Sequence, residues 1–313
     1  MLQTRHAMNT PSQSAFTRIA LSGRLEDERV ADSVLALATH LLARGLTVLV
    51  SDLVDRSHLP SAVEAVPESA LADAADLMVA IGGDGTMLYA AQLTLGRRVP
   101  LLGINRGRLG FLADVSPTGM LERFDDVLAG RHETEQRTLL VASLERHGEV
   151  LESRHALNDV VLQKHDTGRM IEFETWIGGR YVNTHGGDGM VVATSTGSTA
   201  YALSCGGPII HPELDAIVLA PICPHTLSDR PVVVSRNSNI VIRLIARPAA
   251  RAQVTSDGLL LGDLDADTHL VIRAAPERIV LLHPPGHDYF RILRSKLHWG
   301  RSARNGDPEL DAC

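Results

Sequence analysis

The sequence predicts an α/β domain followed by a β-rich domain, and three observations support this division. Between residues 17 and 130, short apolar runs alternate with segments of helical periodicity, which is typical of a parallel sheet covered by helices. From residue 138 onward, short β-type runs separated by turn residues replace the long helical segments. A length of 313 residues also favours two domains over one.

The predicted α/β domain spans residues 17–130 and follows a polar tail, residues 1–16, that we expect to be loose. Arg18–Ser22 is a predicted strand. A helix over Glu26–Arg44 follows, because apolar residues recur at helical spacing and acidic residues stand at its start. Leu46–Val50 is the next predicted strand.

A glycine turn at the end of the apolar run Leu77–Ile81 is the most informative stretch of this domain. It reads Gly82-Gly83-Asp84-Gly85-Thr86, and a helix-like segment, Met87–Leu93, comes after it. Ligands bind where the strands of an open α/β sheet end, and glycines allow backbone N–H groups to approach a phosphate at a helix N-terminus. The pattern indicates a Rossmann-like, phosphate-binding domain, which Pro100–Ile104 continues as a further strand.

Asp84 is unexpected in such a turn because a carboxylate repels phosphate. It is explained if the side chain holds a metal ion or accepts a proton from an attacking hydroxyl. The alternative is a simple tight turn in which Asp84 caps the helix.

Two further features precede the domain boundary. Arg106 and Arg108 follow the Pro100–Ile104 strand, where they could bind phosphate or form a solvated basic loop. Ser116-Pro117 predicts the start of a helix that Gly130 ends.

The predicted β-rich domain covers residues 131–280, and we expect two packed sheets, a β-sandwich. A final helix over Asp288–His298, within residues 281–313, has one apolar face that would return to cover the first domain. The predicted strands are Leu139–Leu144, Ala156–Leu162, Met170–Ile177, Met190–Ala193, Ile217–Ala220, Pro231–Val234, Ile240–Ile245 and Leu270–Arg273.

Three polar clusters interrupt these strands. Asn158-Asp159 could bind a purine edge or ribose hydroxyls, or form an Asx turn. Gly186-Gly187-Asp188-Gly189 precedes its strand, so a hairpin turn is the stronger interpretation. Thr194–Ser204 offers hydroxyl and backbone donors suited to a nucleotide, with a capped Ser/Thr-rich turn as the alternative.

Composition excludes several classes of protein. With 30 basic and 37 acidic residues, the net charge of −7 predicts no general attraction to nucleic acid or membrane. The sequence lacks a signal-peptide pattern and a long apolar span, and three cysteines form no disulfide framework, so we expect a soluble cytoplasmic protein. No histidine pair combines the helical His-x-x-x-His spacing with a further ligand. Each of three histidines adjoins a proline and is interpreted as structural: His211, His225 and His283. We therefore predict no built-in metal site.

Taken in order, the clusters resemble those of the NAD kinase family over residues 17–300. The matches are Gly82–Thr86, Asn158-Asp159, Asp188-Gly189, Thr196–Tyr201, Gly206-Gly207-Pro208, and Pro224–Ser228 with Arg230-Pro231. Lipid kinases of the diacylglycerol type share the first turn, but the Thr-Gly-Ser-Thr-Ala-Tyr stretch separates NAD kinases from them. A non-catalytic dinucleotide sensor is a second alternative. A Rossmann dehydrogenase is disfavoured because the first strand is not followed by the motif Gly-x-Gly-x-x-Gly. The sequence at this place is Ser22-Gly23-Arg24.

The resemblance implies a two-domain NAD kinase-like architecture, with NAD bound between the domains and its 2′-hydroxyl phosphorylated to give NADP. Asp84 would orient and deprotonate that hydroxyl. It also implies ATP or polyphosphate as donor, a divalent metal ion such as Mg²⁺ with the donor phosphates, and a homo-oligomer. The implied substrate- and nucleotide-binding residues are Gly82, Gly83, Gly85, Thr86, Asn158, Asp159, Arg169, Gly186, Asp188, Thr196, Thr199, Ala200, Tyr201 and Ser204.

Four positions depart from the family pattern. Asp159 stands where many members have glutamate, and Ser195 replaces a frequent proline. Leu259 lies near the place of a frequent glutamine contact, so this contact is not predicted here. Gly186 occupies a position where some members have arginine.

Overall fold

The computed structural model describes residues 16–107, 110–113, 115–165, 170–245 and 251–299. The chain divides into two compact units: residues 1–135 with 280–313, and residues 136–279. The predicted α/β and β-rich classes are confirmed for the first and second unit. Within the described part of the chain, no helix has the length and apolar character needed to cross a membrane.

The first unit contains a parallel sheet in the order β3-β2-β1-β4-β5-β17. Only the last residues of β17 belong to it, and they pair with β5. The strands are β1 (Arg18–Gly23), β2 (Thr47–Ser51), β3 (Glu64–Val66), β4 (Leu77–Gly82), β5 (Leu101–Asn105) and β17 (Thr268–His283).

Helices cover this sheet because their apolar stripes face it. Val34, Leu37 and Leu41 of the first helix are buried in one cluster with the strand residues Ile19, Val79 and others. The helices are α1 (Glu28–Ala43), α2 (Asp84–Leu93), α3 (Met120–Leu128) and α5 (Tyr289–Leu297).

Helix boundaries correct two predictions. α3 begins after Gly119, whose φ of +75° is left-handed, and not at Ser116-Pro117. The N-cap of α2 is Gly83 with no side-chain capping bond, so the interpretation of Asp84 as a helix cap is wrong. Asp288 caps α5 by accepting hydrogen bonds from the N–H groups of Phe290 and Arg291, as a helix start near this residue predicts.

The second unit consists of antiparallel strands in two packed sheets. One sheet has the order β13-β12-β11-β8-β15-β16. The other contains β10-β9-β14-β17 and the pair β6-β7. Apolar residues of both sheets, including Val160, Val192, Phe173 and Ile242, form one buried cluster, which confirms the β-sandwich.

The second unit has more strands than the sequence predicts, and β6, β11, β12 and β17 are longer than predicted. β7, β10, β15 and β16 were not predicted. The bounds are β6 (Glu133–Arg146), β7 (Glu149–Ala156), β8 (Asp159–Lys164), β9 (Ile171–Ile177), β10 (Arg180–Gly187), β11 (Gly189–Thr194), β12 (Ala216–Ile222), β13 (Val232–Ser235), β14 (Ile240–Leu244), β15 (Ala252–Ser256) and β16 (Leu259–Leu264), with the short helix α4 (Tyr201–Ser204) after β11.

Candidate functional site

The glycine turn of the first unit lies where β4 ends and α2 begins, as predicted. A Cβ atom on Gly82 would collide with Thr86 Oγ1, whereas Cβ atoms on Gly83 and Gly85 would meet no other heavy atom within 4 Å. Thr86 and Met87 donate the first helical bonds to Gly83 O, so the N–H groups of Asp84 and Gly85 stand ahead of the helical ladder. The turn therefore combines open space with backbone donors at the positive end of a helix.

A cleft of about 310 Å³ adjoins this turn and is basic. Three arginines line it against one carboxylate, Asp27, which is paired with Arg29 at 2.9 Å. The Nε atom of Arg106 is buried and has no hydrogen-bond partner among the described residues. The lining residues are Arg24, Asp27, Arg29, Val30, Gly82, Gly83, Gly85, Thr86, Arg106 and Gly107.

Arg106, for which phosphate binding and a solvated basic loop were both left open, lines this cleft together with the glycine turn. Arg24 and Arg29 were not predicted, because they follow a different strand and lie far from the turn in sequence. Arg108 lies outside the described residues.

Asp84 is not among the described residues that line the basic cleft. Its Oδ2 accepts a hydrogen bond from Phe111 N and its Oδ1 from Leu112 N, both at 3.0 Å. A Cβ atom on Gly110 would collide with Asp84 Oδ1, so glycine is needed at that position. Because a carboxylate has about four lone-pair sites, each oxygen can still accept a further hydrogen bond, for example from a hydroxyl.

A second cavity of about 290 Å³ in this unit shares Arg24, Gly85 and Thr86 with the basic cleft. Its walls combine apolar side chains with Tyr89, whose hydroxyl donates a hydrogen bond to Glu68. Burial, and secondarily the Glu68 carboxylate, raises the pKa of Tyr89 to about 12, so the phenol remains protonated at neutral pH. The remaining lining residues are Leu21, Ser22, Gly23, Leu25, Glu26, Ser51, Leu53, Val54, Leu71 and Leu93.

The candidate residues of the second unit cluster around the start of β8. The carboxylate of Asp257 accepts hydrogen bonds from the N–H groups of Leu157, Asn158 and Asp159 at 2.7, 2.8 and 3.1 Å. Asp257 N in turn donates to Asp159 O. These hydrogen bonds, which we call the Asp257 clamp, join residues about 100 positions apart in the sequence and fix the Asn158-Asp159 backbone. They were not predicted from the sequence.

Asp159 is 7% exposed and faces the start of α4. Burial, followed by the charge of Asp257, raises its pKa to about 7, although a hydrogen bond from the Tyr201 N–H opposes this rise. At neutral pH a substantial fraction of this carboxyl group is therefore protonated.

The hydroxyl-rich stretch divides into structural and accessible residues. Thr196 is buried and its hydroxyl accepts a hydrogen bond from Arg137 Nη1 at 3.1 Å. Thr199 Oγ1 donates to Thr196 O, while Tyr201 and Ser204 are exposed, and Ala200 is half-buried. A Cβ atom on Gly197 would collide with Asn158 O, so this stretch packs directly against the Asn158-Asp159 segment.

Gly186 and Asp188 lie at a corner between sheets. β10, which ends at Gly187, and β11, which starts at Gly189, belong to different sheets, so the predicted hairpin turn is wrong. Asp188 Oδ1 forms an ion pair with Lys164 Nζ at 2.6 Å. A Cβ atom on Gly186 would make only ordinary contacts with Met170 and Glu172. Arg169 lies outside the described residues, and Leu259 is 49% exposed at the start of β16.

Comparison with known proteins identifies both units. The family model for the ATP-NAD kinase N-terminal domain matches residues 19–132, and that for the ATP-NAD kinase C-terminal domain matches residues 157–283. The chain belongs to the NAD kinase family. The two alternatives, a lipid kinase and a non-catalytic sensor, are not supported.

Curated relatives and solved structures of the family extend over nearly the whole chain. The NAD kinase of Psychrobacter arcticus is 41% identical, with 98% of this chain and 95% of that protein covered, and the NAD kinase of Methylococcus capsulatus is 44% identical, with 92% and 99% covered. A yeast NADH kinase complexed with NADH matches with a TM-score of 0.85 at 25% identity, covering 95% of each chain. An NAD kinase from Archaeoglobus fulgidus in complex with ATP matches with a TM-score of 0.66 at 26% identity, covering 90% of this chain and 98% of that chain.

Proposed function

We propose that the chain transfers the terminal phosphoryl group of ATP to the 2′-hydroxyl of the adenosine ribose of NAD, giving NADP. The observation that carries this proposal is that the β4–α2 turn places phosphate-binding groups and a carboxylate in different surroundings. The glycines and Arg106 line a basic cleft, whereas the Asp84 carboxylate is not part of that lining, accepts hydrogen bonds from Phe111 N and Leu112 N, and keeps lone pairs for a hydroxyl. Phosphoryl transfer needs both: donors for the phosphate oxygens and a base that orients the nucleophile.

The donor phosphates fit the basic cleft. Helix N–H groups and three guanidinium groups supply charge-assisted hydrogen bonds to phosphate oxygens. Buried Arg106 Nε is a donor that lacks a partner among the described residues, and a phosphate oxygen would satisfy it.

ATP fits better than polyphosphate as donor because a cavity of nucleoside dimensions, partly apolar, shares three residues with the basic cleft. Polyphosphate has no group for this cavity. We expect Tyr89→Ala to raise the KM for ATP about tenfold and to leave turnover with polyphosphate unchanged, since tenfold corresponds to about 1.4 kcal/mol of lost contact.

A divalent metal ion, when bound, would neutralise charge on the donor phosphates. Asp27 is the carboxylate among the described lining residues of the cleft, and Arg29 is hydrogen-bonded to it. Mg²⁺ commonly binds through one or two carboxylates plus phosphates and water. Because both carboxylate oxygens of Asp27 accept hydrogen bonds from Arg29, Asp27 would hold the ion only if this pair opened, and the phosphates and water would supply most of the ligands.

Acceptor recognition is proposed for the accessible residues near β8. Asn158 supplies a donor and an acceptor for the adenine or ribose, Asp159 accepts from ribose hydroxyls, and Tyr201, Ser204 and Asp188 line the remainder. Thr196, by contrast, is proposed to hold this surface in place through Arg137, since its hydroxyl is buried. Arg169 remains a predicted contact without a described position.

The test is direct. Purified protein is incubated with NAD, Mg²⁺ and either ATP or polyphosphate, and NADP is measured with an NADP-specific dehydrogenase. NADP formed from ATP supports the proposal; phosphorylation of diacylglycerol without NADP formation would overturn it.

We also propose a homo-oligomer. Apolar side chains are exposed on strands at sheet edges of the second unit, among them Val150 and Leu151 on β7 and Tyr181 and Val182 on β10. Light scattering coupled to gel filtration measures the mass, and a monomer at all micromolar concentrations would contradict this proposal.

A further inference from the structure

Glu135, His283 and His287 form a cluster in the first unit that the proposed phosphoryl transfer does not use. One ligand atom from each side chain lies within 4.8 Å of the other two. His283 is 2% exposed, and its Nε2 atom is 3.2 Å from Glu135 Oε2. The rings of His283 and His287 stack with centroids 3.8 Å apart.

The fold assembles this cluster from distant parts of the chain. His283 is the last residue of β17, the strand that pairs with β5 in the parallel sheet. Glu135 lies in β6, 148 residues earlier. His287 and His283 have His-x-x-x-His spacing, but Pro-Pro-Gly separates them, so the loop and not a helix brings their rings together.

The loop between the histidines is fixed by contacts that do not involve their rings. Arg123 Nη1 donates to Pro285 O at 2.6 Å and Arg291 Nη2 donates to Gly286 O at 3.2 Å. Gly286 has a left-handed φ of +87°, which a glycine adopts without strain. Asp288 then caps α5, so the segment that carries His287 is anchored on both sides.

We propose that Glu135, His283 and His287 bind a divalent transition-metal ion, with zinc the best fit. Two imidazoles and one carboxylate are a ligand set that zinc accepts, with a fourth position left to water. Ligand atoms about 2.0–2.1 Å from one tetrahedral ion are roughly 3.3 Å apart. His283 Nε2 and Glu135 Oε2 already have about this separation, so the ligand atom of His287 must approach them by at most roughly 1.5 Å. His283 is the fixed ligand; Glu135 and His287 are partly exposed and can rotate toward it.

This site is chemically distinct from the phosphate-bound Mg²⁺ proposed above. Nitrogen ligands favour zinc, cobalt or nickel over magnesium, which prefers oxygen. The site therefore stabilises the packing of β17, β6 and the start of α5 and requires neither NAD nor ATP.

Cobalt binding tests the proposal without nucleotide. The full-length protein is dialysed against a chelator and titrated with Co²⁺, and we expect a visible absorption band that saturates at one equivalent and disappears when Zn²⁺ is added. Glu135→Gln and His287→Gln should weaken binding at least tenfold, comparable to the loss caused by removing even an outer-sphere partner of a metal ligand. His211→Gln, at a half-buried histidine outside the cluster, is the matched control and should bind like the wild type.

Thermal unfolding with and without Zn²⁺ gives a second readout, because an ion that binds only the folded state raises Tm. We expect this rise in the wild type and in His211→Gln and its absence in His287→Gln. Zinc-edge X-ray absorption of the loaded wild type requires no variant and should show two imidazoles. A shell of thiolates, or cobalt binding by His287→Gln equal to that of the wild type, would overturn the proposal.

Discussion

Gly82-Gly83-Asp84-Gly85 and Gly186-Gly187-Asp188-Gly189 contain the same residues in the same order, yet their glycines serve opposite purposes. In the first turn, Cβ atoms on Gly83 and Gly85 would meet open space. In the second, a Cβ on Gly187 would lie 2.9 Å from Ile222 O, and one on Gly189 would collide with Leu162 O. Open glycines leave room for a ligand, whereas crowded glycines let two backbones approach.

The aspartates differ in the same way. Asp84 accepts hydrogen bonds from two backbone N–H groups of the segment after β5 and forms no ion pair with a residue that the structure describes. Asp188 is neutralised by Lys164. Composition alone does not distinguish the turn proposed to be catalytic from the corner between the two sheets; the residues beyond the tetrapeptide do.

The largest expected effect comes from exchanging these two carboxylates for amides. Asp84→Asn should lower kcat about 10²- to 10⁴-fold, because an amide cannot accept the hydroxyl proton, while NAD binding measured by calorimetry persists. Asp188→Asn alters a residue proposed to line the acceptor site, so it should act mainly on the KM for NAD and change kcat less than about twofold, an effect of under about 0.5 kcal/mol. Unchanged NADP formation by Asp84→Asn would remove Asp84 from the mechanism.

Alanine substitutions test the contrast between open and crowded glycines. Gly189→Ala should lower the free energy of unfolding by about 1–3 kcal/mol, since the added methyl group meets the Leu162 carbonyl. Gly85→Ala should leave stability unchanged or raise it by up to about 1 kcal/mol in the first turn of α2, yet raise the KM for ATP. Urea unfolding and steady-state kinetics measure the two effects. If Gly85→Ala has the wild-type KM, the open space at this turn is not a phosphate site.

A third aspartate, Asp159, is expected to make the stability of the folded protein depend on pH. The pKa of Asp159 rises from 3.8 to about 7 on folding, so the folded state binds more protons between these values and loses stability as pH rises from about 4 to 7. The contribution is at most about 4 kcal/mol, taking about 1.4 kcal/mol per pH unit. The Tm of Asp159→Asn should change less with pH over this range than the Tm of the wild type. Asp263→Asn, at an exposed aspartate, should keep the wild-type slope.

The smallest expected effect concerns the ion pair of the second turn. Asp188 and Lys164 side chains are 28% and 21% exposed, so a double-mutant cycle with Asp188→Asn and Lys164→Ala should give a coupling of about 0.5–1 kcal/mol. The more exposed pair of Asp265 and Arg146 is the control, with a smaller coupling. Equal couplings would show that burial of the Asp188 corner has no energetic consequence.

Sequence patterns correctly predicted those elements that depend on interactions between residues close together in the chain. The apolar run ending in Gly82 requires only strand propensity and a helix start, and the structure has both. β7 and β16 were not predicted because each has few buried side chains, so neither shows a clean alternation. The corner at Asp188 was mistaken for a hairpin because sheet membership is decided by partners elsewhere in the chain.

The candidate site shows the same limit. The sequence locates Asn158-Asp159 and the hydroxyl-rich stretch, but the clamp by Asp257 joins residues 98–100 positions apart. The burial that raises the pKa of Asp159 likewise depends on tertiary packing. Arg24 and Arg29 reach the glycine turn only because β1 and β4 are neighbours in the sheet.

The pairing of β17 with β5 has a consequence for synthesis of the chain. Residues 1–135 leave the ribosome first, but their sheet gains its last strand only when residues 280–283 have emerged. Until then β5 is an unprotected edge that can pair with another nascent chain. We expect residues 16–135 to remain incompletely folded and open to chaperones until residues 280–283 have been translated.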